Sequence, residues 1–401
     1  MTKPLEYPLA RRCPLDPPEE YSRLRAEEPI TKVHMPAGEQ DVWLVTQHAD
    51  VRTLLADPRL SSDRTDPDFP QRRRVQAQVN KGFANASKAL IGLDLPEHSA
   101  PRRMLITEFS VRRIADLRPR IQQIVDEQID KMIAEGNTGD LFRDLAAPVP
   151  ALVISELLGV APGKRPFFQE QTQILLRASS TPGELTAAMD ALNEFMDALV
   201  SEKEAAPGDD LLGRLIVRNN ETGVFTHDLL VGMALLLLIA GHETTSNMIA
   251  LGTIALLRKP GAVSALKDDP DLVVKTIEEM LRYQPIIDGL ARLAKQDIEI
   301  GGVTIKAGDG VLLSLGSANR DDASFPEAAE FDVHRGDRHH VSFGYGIHQC
   351  LGQNLARAEL EITFRTLLAR MPDLRLTQEI ADLDYKDAIA ISGVWSLPVA
   401  W

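Results

Sequence analysis

A largely apolar run from Leu229 to Ala240 ends on Gly-His-Glu-Thr-Thr and turns apolar again at Met248. Polar groups in an interior must be hydrogen-bonded, or they cost free energy. The run is also too short to cross a bilayer, which takes about 20 apolar residues. The continuation "MIALGTIALLRKP" keeps helical character up to Pro260. The simplest reading is one long helix buried in a soluble protein, N-capped near Thr226, with Glu243 and Thr244 at its polar middle. Either the fold needs a carboxylate and a hydroxyl there, or the helix bends around them.

A buried helix needs a large core around it. The chain has 401 residues, 44% of them apolar and 25% charged, which is enough to build one. Its net charge of −14 argues against a general nucleic-acid role. The N-terminus, "MTKPLEYPLARRCPLDPP", carries no apolar signal segment, so the expected location is the cytoplasm, off the membrane. Cys13 and Cys350 lie far apart in sequence, and a disulfide is not expected in a reducing compartment.

Along the chain, "PITKVHMP", a turn at "AGEQ" and "DVWLVTQH" predict a hairpin. "SSDRTDPDFPQRRR" reads as a surface loop. From Arg102 to about Asn219 apolar residues recur at spacings of three and four, and "RIQQIVDEQIDKMIAEG" ends on a C-capping Gly136. Glu202 to Asp210 reads as an exposed connection. A further helix covers "DLVVKTIEEMLRYQ" and stops at Pro285. "DIEIGGVTIKAGDGVLLSLG" alternates with period two and turns at its glycines, as a small sheet would. A last helix runs from about Leu351 to Arg370. No linker separates domains. The fold class is therefore mainly α with a minor β region, and residues 1–401 read as one domain.

"FGYGIHQCLG", Phe343 to Gly352, carries the most chemistry. Gly344 and Gly346 permit tight or left-handed backbone. Cys350 stands just before a helix, whose N-terminal N–H groups and dipole are expected to lower a thiol's pKa. A thiolate so placed suits an axial position on haem iron. Taken alone, a cysteine near a helix start is as well read as a buried structural residue.

The whole pattern Phe-Gly-x-Gly-x-His-x-Cys-x-Gly resembles the haem-binding signature of the cytochrome P450 family of haem-thiolate monooxygenases. Other family landmarks follow in order along essentially the whole chain, and the style is that of bacterial, particularly actinobacterial, members. The resemblance implies a P450 fold with a long central helix over a buried haem b. Cys350 would be the iron's proximal ligand, with Phe343 packed beside the sulfur and Gly344 and Gly352 in the cofactor loop. Cys13 is assigned no chemistry.

By the same resemblance "AGHETT" is the oxygen groove. Ala240 would leave room over the iron, and Gly241 would allow close approach of the haem and a local widening of the helix. Glu243 and Thr244 would be the catalytic acid–alcohol pair, moving protons during dioxygen activation. Thr244 could equally bond back to the Ala240 carbonyl and bend the helix. His242 reads as structural, facing solvent or a neighbouring helix. The propionates would meet His98 and Arg102, four apart on one helix face, with Arg292 and His348. Here Pro101 precedes Arg102, tolerable in a first helical turn, and Leu95 replaces a usual proline. Glu279 and Arg282, joined by Arg335, would form a structural triad pinning the cysteine loop.

The resemblance also implies partners. No strand–GxGxxG–helix unit is present, so electrons would come from a ferredoxin and its reductase. Arg102, Arg103, Arg112, Arg113, Arg338 and Arg357 would offer a basic dock, or be simply solvated. Substrate contacts would involve Ile91, Leu93, Leu176, Leu236, Leu237, Ile287, Leu290 and Ile391, consistent with a hydrophobic molecule. Asp288 would fix a polar group or face solvent. The expected enzyme is a monomeric monooxygenase of secondary metabolism that hydroxylates, or epoxidises, a polyketide or macrolide, a terpenoid, a steroid-like molecule or a xenobiotic. A peroxide-driven peroxygenase and a haem-thiolate ligand sensor are the alternatives.

Overall fold

A computed structural model describes residues 5–71, 83–177, 179–386 and 391–401, without the side chains of Pro162, Arg165, Gln169 and Leu176. The helices that matter here are α1 (Glu20–Glu27), α2 (His48–Leu55), α3 (Ser99–Ile106), α4 (Val111–Glu135), α5 (Pro148–Leu158), α6 (Arg165–Leu176), α7 (Pro182–Ala205), α8 (Leu211–Thr222), α9 (His227–Arg258), α10 (Leu272–Tyr283) and α11 (Gln353–Arg370). The fold is mainly α, as the periodicity predicts.

The helix α9 runs unbroken over 32 residues, so the expected widening at Gly241 is not seen. Thr226 caps it, its Oγ1 accepting from the Leu229 N–H. Hydrophobic round most of its surface, it is sheathed along most of its length, as such helices must be, with an opening at Ala240 and Thr244. By length and composition α9 could cross a membrane, but 72% of its most apolar stretch is buried inside this molecule. A Cβ on Gly241 would stand 2.8 Å from Ile154 Cγ1 and 2.9 Å from its Cδ1. Gly241 therefore serves the close crossing of α5 over α9.

The predicted hairpin is β2 (Ile30–Met35) against β3 (Gln40–Val45), paired from Ile30 with Val45 to Met35 with Gln40. It belongs to a six-stranded sheet with β1 (Leu5–Glu6), β4 (Leu60–Ser61), β6 (Gly289–Ala294) and β9 (Gly310–Ser314), ordered β1-β2-β3-β9-β6-β4. The period-two stretch near residue 300 divides. Its first part is a separate hairpin of β7 (Ile298–Ile300) and β8 (Val303–Ile305), turning at Gly301 and Gly302, both with positive φ. Its last part, β9, pairs parallel with β3 and antiparallel with β6. A third sheet orders β10 (Arg375–Leu376), β11 (Pro398–Ala400) and β5 (Thr138–Asp140).

Three boundaries differ from expectation. The supposed surface loop after residue 60 buries Ser61, Ser62 and Phe69, because Asp94 ties down the two serines; residues 72–74 of it lie outside the described residues. The connection after Glu202 is helical to Ala205, and its Asp210 caps α8 through the Gly213 N–H. The helix after Cys350 starts at Gln353.

Candidate functional site

The cysteine loop is shaped by its glycines. Gly344 and Gly346 have φ of 68° and 75°, where only glycine is unstrained. A Cβ on Gly346 would also meet the Leu55 carbonyl oxygen at 2.7 Å, so the loop lies directly on the end of α2. The Cys350 N–H donates to the Phe343 carbonyl at 2.7 Å, closing the turn. Cys350 is partly exposed, and the Gly352 and Gln353 N–H groups reach its sulfur. The expectation of a lowered thiol pKa is corrected. Burial pushes the thiol up and outweighs those N–H groups and the charges of Arg102 and Arg357. A Cβ on Gly352 would meet nothing within 4 Å. Among the described residues no three His, Cys, Asp or Glu side chains are placed to hold a metal ion, so Cys350 stands apart from any all-protein metal cluster.

Phe343 is partly buried, and the Arg357 guanidinium lies 4.6 Å from its ring centre. Arg357 is no free docking cation. It donates from Nε and Nη2 to Glu278 at 2.6 and 3.0 Å and from Nη1 to Gln353. His340 Nε2 lies 3.1 Å from the same carboxylate. Burial works to raise the Glu278 pKa, but these partners bring it to about 2.

Beside the loop sits a group of cationic and imidazole side chains. His98 precedes α3, and Arg102 follows one turn on, donating to the Gln349 carbonyl at 2.7 Å, so Arg102 too is turned inward. The His98 and His348 rings are 4.6 Å apart, and the buried Nε2 of each has no hydrogen-bond partner. Arg292, on β6, is buried and donates to the Ala291 carbonyl. Burial lowers its pKa to about 10. Burial, then the charge of Arg292, pushes His348 down to about 3. Among the described residues no carboxylate pairs with any of the four. Asp94, the acid that His98 and Arg292 feel, is taken up by Ser61 and Ser62. Buried cations without anions are costly, so this pocket fits a dianionic group such as the two carboxylates of a haem.

The polar island of α9 is built around Glu243. Its Oε2 lies 3.2 Å from Lys386 Nζ and 3.3 Å from Asn247 Nδ2, and its Oε1 lies 3.2 Å from His242 Nε2. Burial works against the charge, but the hydrogen bond and charge of His242, then Lys386, hold the carboxyl at about 2. His242 faces the neighbouring helix: Nε2 is 3.2 Å from Thr172 on α6, and Nδ1 is 3.2 Å from the Leu238 carbonyl. Thr244 donates to the Ala240 carbonyl at 2.9 Å. Ala240 is exposed and Thr244 partly so, in a helix otherwise largely buried, which marks the face that looks into open space.

The Glu279 carboxylate takes Arg282 Nε and Nη2 at 2.7 Å each, Arg335 Nε at 3.3 Å and the Asp332 N–H at 2.9 Å. Arg282 spends its other N–H groups on the carbonyls of Asn319, Ala328 and Glu330. Glu279 and Arg282 are wholly buried, unlike an ordinary ion pair on a helix surface.

Ile91, Leu93, Ile287, Leu290 and Ile391 are partly exposed, whereas Leu236 and Leu237 are buried; the Leu176 side chain lies outside the described residues. Asp288 does not face solvent. It is buried, its Oδ2 takes the Tyr7 and Tyr21 hydroxyls at 3.3 and 2.8 Å, and its Oδ1, 3.6 Å from Arg11 Nη2, has no hydrogen-bond partner. Sequence reasoning missed Lys386 and Glu278. The doubled glutamate of "EEMLR" hints at Glu278; nothing local hints at Lys386.

The family model for cytochrome P450 matches residues 165–372. The chain is 47% identical over 395 residues to cytochrome P450-SOY of Streptomyces griseus, covering 98% of this chain and 94% of that one. It is 45% identical over 403 residues to pentalenic acid synthase of Streptomyces avermitilis, covering 100% and 98%. The crystal structure of mycinamicin VIII C21 methyl hydroxylase from Micromonospora griseorubida, bound to mycinamicin VIII, superposes with a TM-score of 0.91 at 40% identity, covering 99% and 100%.

Proposed function

The chain belongs to the cytochrome P450 family, and from that premise we propose how this haem-dependent monooxygenase works and on what. Its substrate is a hydrophobic small molecule that it hydroxylates. A relative named for pentalenic acid and a neighbour solved with mycinamicin VIII support that class. The observation that carries the site assignment is the set His98, Arg102, Arg292 and His348, four side chains without an acid beside one partly exposed cysteine.

These four would hold the propionates, and Cys350 would ligate the iron. The cofactor is haem b: with only Cys13 and Cys350, the chain has no pair of cysteines spaced for covalent haem attachment. When bound, haem supplies the centre at which dioxygen is reduced and one oxygen atom enters the substrate. Ligation would take the proton off the Cys350 thiol, and the Gly352 and Gln353 N–H groups at its sulfur would temper the thiolate's charge. Ala240 leaves room above the cofactor. Thr244, which can release its bond to the Ala240 carbonyl, offers a hydroxyl toward the reacting centre, and Glu243 moves protons behind it. Ile91, Leu93, Leu236, Leu237, Ile287, Leu290 and Ile391 supply the apolar contacts.

Residues 1–401 act as one cytoplasmic, monomeric unit that unfolds in a single calorimetric transition, because one sheet joins strands from Leu5 to Ser314. Electrons come from a ferredoxin and its NAD(P)H-dependent reductase. Arg103, Arg112, Arg113 and Arg338 are the exposed arginines that supply the dock.

The test is a Soret titration of the purified ferric protein against apolar natural products. A blue shift marks a ligand that displaces water from the iron and names a class for turnover assays. Cys350→Ser should abolish the long-wavelength Soret band of the carbon monoxide complex that thiolate ligation gives. Retention of that band removes Cys350 from the iron.

A further inference from the structure

Lys386 is a buried cation whose carboxylate partner among the described residues, Glu243, lies 143 residues earlier in the chain. Its Nζ lies 4.4 Å from the ring centre of Phe142 and 4.6 Å from that of Trp395. An ammonium placed against two aromatic rings and one carboxylate is held by charge and ring faces in place of water. Trp395 in turn has the Arg177 guanidinium 5.5 Å from its ring centre, at the end of α6.

Lys386 also ends the first arm of a small C-terminal hairpin, whose described arms are 384–386 and 391–395. Its N–H donates to the Gly393 carbonyl, Tyr385 bridges Val394, and the Trp395 N–H donates to the Asp384 carbonyl. This hairpin rests on α9 at one more point. A Cβ on Gly393 would stand 1.8 Å from Asn247 Oδ1, so only glycine lets the strand lie there. Asn247 Nδ2 donates to the Glu243 carbonyl at 2.6 Å. The Ser392 N–H donates to the Ile286 carbonyl at 2.8 Å, linking the same hairpin to the segment that bears Ile287.

We infer that Lys386 is a positioning residue: it fixes the Glu243 carboxylate on the central helix and anchors to it the hairpin that carries Ile391. The inference rests on the role given above to Glu243 and goes beyond it, since it joins the proton-handling group to a wall of the substrate site. His242 and Asn247 also touch Glu243; His242 weighs first in holding the carboxyl ionised, and Lys386 is the second cationic partner and the one that arrives from the C-terminal segment. With Lys386 gone, a buried carboxylate would lose its ammonium and take up a proton or turn away.

The experiment compares wild type with Lys386→Met, Lys386→Arg, Glu243→Gln and the Lys386→Met/Glu243→Gln double variant. The first readout is the infrared difference spectrum of the protein and needs neither haem nor turnover. Lys386→Met should show a carbonyl stretch of a protonated carboxyl that wild type and Lys386→Arg lack, and the double variant should lose it. The second readout is product formed per NAD(P)H consumed. It should fall several-fold in Lys386→Met and in Glu243→Gln, and no further in the double variant, while Lys386→Arg stays near wild type. A Lys386→Met protein with no new carboxyl band and wild-type coupling overturns the inference, as do losses that multiply in the double variant. Should Lys386→Met not fold, Lys386→Arg decides: a carboxyl band or lost coupling there overturns it, and wild-type behaviour supports it. Wild-type protein that binds no haem would instead remove the functional reading beneath, and the infrared comparison would still stand.

Discussion

Thr244 spends its hydroxyl proton on the Ala240 carbonyl, a bond that any buried helix would accept and that breaks at little cost. Its removal is therefore expected to leave fold and haem spectrum intact and to act on chemistry. In Thr244→Ala, product per NAD(P)H should fall by roughly tenfold or more, a positioned proton-transfer group contributing about 10²–10⁴-fold to a rate. Peroxide release measured beside NAD(P)H oxidation checks this, and unchanged coupling would sink the role. Glu278 gives the second prediction at this scale. Its carboxyl sits at about 2, below its ordinary 4.5, held by His340 and Arg357 against burial. A depressed folded-state pKa gives stability that is present above 4.5 and lost as pH falls toward about 2. The melting-temperature gap between wild type and Glu278→Gln should thus shrink as pH falls from about 6 to about 3. A gap independent of pH would contradict the pairing.

Between elements, close approach decides what a side chain is for. Gly241 lets α5 cross α9 against Ile154. Gly241→Ala should cost about 1–3 kcal/mol of overpacking, and Ile154→Val in the same protein should recover part of it; thermal melts of the two variants check both. Glu279 and Arg282 pin the segment 319–335 from α10. Breaking this buried pair leaves a charge uncompensated, at about 3–5 kcal/mol, so Glu279→Ala and Arg282→Ala should yield little haem-loaded protein. A normal haem content measured per protein would defeat that. These cases show what was legible. The i, i+3 spacing of Glu279 and Arg282 is written in one turn of helix, and Arg335 follows from the resemblance. The crossing at Gly241 was not legible because a sequence does not say which helix crosses at a glycine. Glu278, one residue before Glu279, was missed because its partners His340 and Arg357 arrive from 60 to 80 residues downstream. Lys386 carried no signal, since a lone lysine near a chain's end is ordinarily wet.

Over the whole molecule charge is sorted by depth. The chain is acidic at −14, yet cations without acids gather inside around Cys350, while Arg103, Arg112, Arg113 and Arg338 stay exposed. An acidic electron donor should dock there by long-range attraction, which salt screens within about 8–10 Å at ordinary ionic strength. The KM for ferredoxin should rise with salt, and Arg112→Glu should raise it several-fold while the substrate-induced Soret shift stays the same. A salt-independent KM would remove the dock. Arg102 and Arg357, first counted with the dock, fall out of it because one meets Gln349 and the other Glu278. The helical frame was legible from periodicity, whereas the sheet was legible only as separate hairpins, since pairing β3 with β9 joins residues about 270 apart. That pairing has a consequence for birth on the ribosome. At about 5–20 residues per second, Val42–Val45 waits on the order of ten to fifty seconds for Gly310–Leu313 to emerge. Throughout that interval one flank of the hairpin is a bare, apolar strand edge, open to any other nascent chain. Expression yield should therefore depend on what shields that edge during translation, and slower synthesis lengthens the hazard.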